Sequence, residues 1–194
     1  MATAWSTRSA SRAGIVVDRR YVIAAPLLIA AIDGLFALFD PPLLVAGLLD
    51  ETAHVATATL VLAALPFRYR PAFLVGVLAG VTLIDIDHIP SELGWWILAA
   101  PGYRPVTHST LTILLAMVIA GSRFVRGPNR ALGYGVAAGI GLHLLRDMAT
   151  GGVLLWWPAN YHEVEIAYPL YALTLTVATA LAAGRLHALR RPHA

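Results

Sequence analysis

The chain has 194 residues, 58% of them hydrophobic and only 13% charged, and a mean hydropathy of +0.70, too apolar for a soluble domain of this size; a bilayer is its natural solvent. Cysteine is absent, which excludes a disulfide framework and a thiolate metal site, so any metal must be held by nitrogen and oxygen. All 14 basic residues are arginine and the formal net charge is +3, but the arginines are scattered between apolar stretches, which marks topology rather than a nucleic-acid surface.

In chain order, residues 1–20 mix Ser, Ala and Arg ahead of an apolar stretch, as a signal peptide does. The length of that stretch and Asp33 within it favour a retained anchor. A spanning helix needs about 20 mostly apolar residues, which places spans near 21–39, 42–65, 71–88, 106–122, 130–149 and 166–184. Pro41, Pro42, Pro66, Pro71, Pro90, Pro101, Pro105, Pro128 and Pro158 punctuate them. The expected fold class is all-α: a polytopic membrane helix bundle of about six transmembrane helices. It forms one domain, 21–184, between tails at 1–20 and 185–194.

Orientation follows from the arginines. The N-terminal tail, the second and fourth loops and the C-terminal tail hold all but Arg104 and Arg146, so both termini are expected in the cytoplasm of a plasma-membrane protein. The acidic residues show the reverse pattern. Asp18 alone falls on the inner side, while Asp33, Asp40, Asp50, Glu51, Asp85, Asp87, Glu92, Asp147, Glu163 and Glu165 map to the outer half. The chemistry is therefore expected near the extracytoplasmic face.

The second span carries Asp50 and His54 at i and i+4, on one helical face. The third ends in Asp85-Ile86-Asp87-His88, the fourth opens with Arg104-Pro105-Val106-Thr107-His108-Ser109, and the fifth ends with His143 and Asp147, a second i, i+4 pair. A lone His or Asp near a helix end is more often a cap or an interfacial hydrogen-bonding group than a ligand. Four helices bringing such groups to similar depth is different: each costs roughly 2.5–3.5 kcal/mol facing lipid, so they should converge inside the bundle. Four His with Asp partners and no Cys suit zinc or manganese, and Arg104 is a candidate clamp for an anionic group such as phosphate.

Elsewhere, Trp95, Trp96, Trp156 and Trp157 read as an interfacial belt. Gly76, Gly80, Gly135, Gly139 and Gly141 read as close helix packing. His162, Glu163 and Glu165 either complete the site or form a solvated loop, and His187 and His193 look incidental.

In pattern and order these residues resemble the bacterial membrane-bound metal-dependent hydrolases, typified by a LexA-regulated inner-membrane protein. Asp50-Glu51-Thr52-Ala53-His54 looks like that family's Asp-x-x-x-His, and Asp85-Ile86-Asp87-His88 like its Asp-x-Asp-His. Thr107-His108-Ser109 looks like its Thr-His-Ser, and His143 to Pro158 like its His-x-x-x-Asp segment followed by Leu-Leu-Trp-Pro. The chain departs from the pattern at Tyr103-Arg104-Pro105, where the family has His-Arg-Gly, and in the extra span at 21–39. More remotely the family resembles zinc-dependent phospholipase C and P1 nuclease.

The resemblance implies a metal-dependent hydrolase of phosphoesters, with a membrane lipid or another anionic molecule as substrate and no nucleic acid. Its metal would be held by Asp50, His54, Asp85, Asp87, His88, His108, His143 and Asp147, with Asp87, Asp147 and Arg104 in catalysis. Two rivals use the same residues: a metal or proton transporter with a midplane relay, and a non-catalytic protein whose metal only staples helices. No ionisable residue continues from the site toward the inner arginine loops, which counts against a relay.

Overall fold

A computed structural model describes residues 18–95, 99 and 105–189. Among these residues seven α-helices follow one another: α1 Arg19–Leu38, α2 Leu43–Ala64, α3 Pro71–Thr82, the short α4 His88–Glu92, α5 Thr110–Gly121, α6 Pro128–Thr150 and α7 Tyr168–Leu189. A 3-10 turn, Ile84–Asp87, joins α3 to α4. Among the described residues there are no β-strands, only two isolated bridges, Ala99 with Pro105 and Val153 with Val164.

Every expected apolar span corresponds to a helical segment. Four segments, Arg19–Leu38, Leu43–Ala64, Pro71–Pro90 and Tyr168–Ala188, are long and apolar enough to cross a membrane. Helix α5 has 12 residues, about 18 Å at 1.5 Å per residue, and is too short to cross alone. Helix α6 has 23, about 35 Å by the same rise. It is less apolar because it lies in the middle of the bundle, packed on α2, α3, α5 and α7, and carries His143 and Arg146 buried within it.

The bundle keeps its ionisable groups inside and presents an apolar surface outside. Leu27, Leu44, Leu115, Val118, Ile119, Leu173 and Leu181 are exposed, while His54, Asp87, His108, His143 and Arg146 are buried. An apolar surface of that extent suits lipid rather than water. Ile29, Leu60 and Tyr171 join α1, α2 and α7, and the Thr57 and Tyr171 hydroxyls meet at 2.6 Å inside that contact.

The tightest pairing is α3 against α6. A Cβ at Gly76 would overlap the Leu132 carbonyl, at Gly80 the Val136 carbonyl, at Gly135 the Phe73 carbonyl and at Gly139 the Val77 carbonyl. Glycine on both sides lets the two backbones touch, the packing expected of these residues. Gly141 differs, since its Cβ would meet only the end of Ile113 at 3.7 Å.

At the opposite end from the His and Asp residues, arginines close helix termini. Arg185 donates to the carbonyls of Ala63 and Leu65 at the end of α2, and Arg130 to those of Ser122 and Val125 past α5. Cations at helix C-termini satisfy carbonyls that have no partner within the helix. Helix α7 runs through Arg185 to Leu189, beyond its expected end.

Candidate metal centre

Helix α2 presents Asp50, Glu51 and His54 within one turn. The 3-10 turn after α3 has three residues per turn, which brings i and i+3 into line. His88 Nε2 accordingly stands 3.8 Å from Asp85 Oδ1, and 3.9 Å from Asp87 Oδ1. The loop before α5 supplies His108 from Thr107-His108-Ser109, anchored where Thr110 N–H donates to the Leu155 carbonyl. Helix α6 supplies His143, Arg146 and Asp147.

These groups converge. Asp147 spans two rings, with Oδ1 3.1 Å from His54 Nε2 and Oδ2 3.1 Å from His143 Nε2. Asp85 Oδ1 lies 3.1 Å from both His143 Nε2 and His108 Nε2, while His108 Nδ1 is 3.2 Å from Asp87 Oδ2. Three overlapping sets bring ligand atoms within 4.8 Å of one another: Asp85, Asp87, His88 and His108; His54, Asp85 and His143; and His108, His143 and Asp147.

The donor chemistry fits a cation. His143 Nδ1 must donate to the Val81 carbonyl, 2.7 Å away, since a carbonyl can only accept. A neutral His143 then turns a lone pair at Nε2 toward two carboxylates. His108 faces carboxylates from both nitrogens, yet a neutral ring has one N–H. Each arrangement calls for a proton or a metal between the groups. His54 Nδ1 and Nε2, His143 Nε2, Asp87 Oδ1 and Glu51 Oε2 are moreover buried with no hydrogen-bond partner. The approaches of His54 Nε2 and His143 Nε2 to Asp147 meet distance but not hydrogen-bond geometry.

The charge balance points the same way. Among the described residues, Asp33 and Asp50 pair with Arg146, while Asp85, Asp87 and Asp147 face the histidines and Glu51 lies beside Asp85. Carboxylates so placed repel strongly at low dielectric unless cations join them.

Asp50 is close to the centre but in none of the three sets. Its Oδ1 accepts from Arg146 Nε at 3.3 Å and Nη2 at 2.9 Å, and its Oδ2 is 3.5 Å from His54 Nε2. His162, Glu163 and Glu165 are exposed, and the two glutamates crowd Gly152, whose φ of +75° suits glycine. Tyr103, Arg104 and Trp96 lie outside the described residues. Arg146 and Glu51 were not singled out from the sequence. Glu51 sits three residues before His54 on the same face, a signal that was available, and its side chain reaches Asp85.

A cavity of about 600 Å³ opens over the cluster, walled by Asp50, Asp85, His88, His108 and Asp147, and extending to Asp33, Arg146 and Tyr168. Fold and site together define a polytopic helical membrane protein with a His and Asp centre at one end of its bundle.

A family model described as the YdjM inner membrane protein matches residues 49–193, well over half of the chain, and the protein belongs to that family. It is an inner-membrane protein. The match takes in every His and Asp of the cluster, while α1 and Asp33 precede it. No curated protein and no solved structure matches the chain.

Proposed function

We propose that this protein is a multi-pass inner-membrane hydrolase that uses a divalent metal, zinc or manganese, to cleave phosphoester bonds in a lipid or lipid-linked substrate. The observation that carries the reading is the convergence of His and Asp ligand atoms from α2, the 3-10 turn, α6 and the loop before α5, of which Asp85, His88, His108 and Asp147 wall an open cavity. On the proposed topology of six crossings, α5 completed by its flanking segments and both termini cytoplasmic, the cavity would open at the outer face.

When bound, the metal polarises the phosphoryl oxygen and lowers the pKa of water. The chain does the rest. The Val81 carbonyl fixes the His143 ring with Nε2 toward the site, and Asp147 holds His54 and His143 in register. Asp87, with Oδ2 on His108 and Oδ1 free of hydrogen bonds, takes the proton as a water oxygen attacks phosphorus and returns it to the ester oxygen as the phosphorus–oxygen bond breaks and the alcohol departs. Arg104 is the proposed holder of the phosphate.

The test is headgroup or phosphate release from phospholipid vesicles by the purified protein with zinc or manganese, beside His143→Ala and Asp87→Ala. Turnover lost in both variants supports the reading. Equal release by the variants contradicts it.

A further inference from the structure

Arg146 belongs to none of the ligand sets, yet among the described residues it is the largest fully buried side chain. A guanidinium cannot shed its proton, so burying it is costly unless it is well paired. Its partners come from two other helices. Nε and Nη2 donate to Asp50 of α2, and Nη2 also stands 2.8 Å from Asp33 Oδ1 of α1. That second contact is an ion pair outside hydrogen-bond geometry, which leaves Asp33 Oδ1 and Arg146 Nη1 buried without hydrogen-bond partners. Asp33 is held in turn by the Tyr168 hydroxyl, which donates to Oδ2 at 2.7 Å.

A continuous line of polar contacts therefore runs from α1 into the centre: Asp33, Arg146, Asp50, His54. Without Arg146, Asp50 would be one more carboxylate competing with Asp147 for His54. Engaged by two N–H groups, it is neutralised and fixed, with Oδ2 left toward the His54 ring. Arg146 shares its single charge between two acids, so little remains to attract a phosphate. Its geometry suits positioning.

We propose that Asp33 and Arg146 are positioning residues that build α1, the helix ahead of the family match, into the site, by holding Asp50 so that it orients the His54 ring. This rests on the metal-centre reading for its consequence, but its first readout needs no metal.

The experiment uses the full chain in detergent with nitrogen-15-labelled histidine. Imidazole resonances of His54, assigned with His54→Gln, are compared in wild type, Asp33→Asn and Asp33→Glu, first metal-free and then during zinc titration. Asp33→Asn is expected to move the His54 resonances and weaken zinc binding about tenfold or more. Asp33→Glu restores both toward wild type, and His187 at the far end of α7 stays unmoved in each. Unchanged His54 resonances in Asp33→Asn would overturn the proposal. A wild type that binds neither zinc nor manganese would defeat the metal reading, while the ring resonances still decide this one.

Discussion

His54 and His143 lie face to face, their ring centroids 3.7 Å apart and their planes within 4° of parallel. The stack joins α2 to α6 and turns both Nε2 atoms to the same side, where the two oxygens of Asp147 meet one each. Asp147→Asn preserves the size of the side chain but removes its charge and turns one acceptor into a donor. Zinc affinity is expected to fall about 100-fold, read by titration of the purified protein, with helicity unchanged. Wild-type affinity in this variant would contradict the role given to Asp147.

Glu51 is placed beside Asp85 and the His54–His143 pair, with one buried oxygen lacking a partner. An uncharged amide there removes one of six crowded carboxylates. Glu51→Gln is expected to weaken divalent metal binding about tenfold, and to make the metal-free protein more stable by relieving repulsion. Thermal unfolding with and without metal checks both effects in one experiment.

Metal removal should destabilise the bundle. A ligand that binds only the folded state stabilises it by about 2.7 kcal/mol when present at 100 times its Kd, and a metal at the proposed centre would also neutralise facing acids from α2, α6 and the 3-10 turn. Chelator treatment is expected to lower the unfolding midpoint, and added zinc or manganese to restore it. The same treatment of His143→Ala should change little.

The α3–α6 seam tests the packing independently of the site. Gly76→Ala or Gly135→Ala places a methyl group against a backbone carbonyl of the facing helix and is expected to cost about 1–3 kcal/mol, seen as a lower unfolding midpoint in detergent. Gly141→Ala meets only the tip of Ile113, and its midpoint should match wild type.

Much of this arrangement is legible along the chain because a bilayer leaves few alternatives. Apolar runs become helices, prolines mark their ends, and ionisable groups at matching depth on several helices turn inward. The expected bounds of α1 and α2, 21–39 and 42–65, fall within a few residues of Arg19–Leu38 and Leu43–Ala64. His54, Asp85, Asp87, His88, His108, His143 and Asp147 meet as their helical positions suggest.

What stayed hidden depends on pairing between distant helices. Arg146 reads in sequence as one arginine on the sparse side of a topology count. Only the contact of α6 with α1 and α2 reveals it as the partner of Asp33 and Asp50. That same pairing draws Asp50 away from the ligand sets, which no spacing along α2 discloses. The 3-10 turn at Ile84–Asp87 was likewise hidden inside an apolar run that reads as continuous helix, and it is this tightening that lines His88 up with Asp85.

The most direct test of the central claim is the metal content of the purified, detergent-solubilised protein by elemental analysis, beside folded His143→Ala and Asp87→Ala. Zinc or manganese at one or more ions per chain in wild type, and its loss from both variants, is the predicted result. A folded wild type that carries no metal, and takes up neither zinc nor manganese when they are supplied, would contradict it.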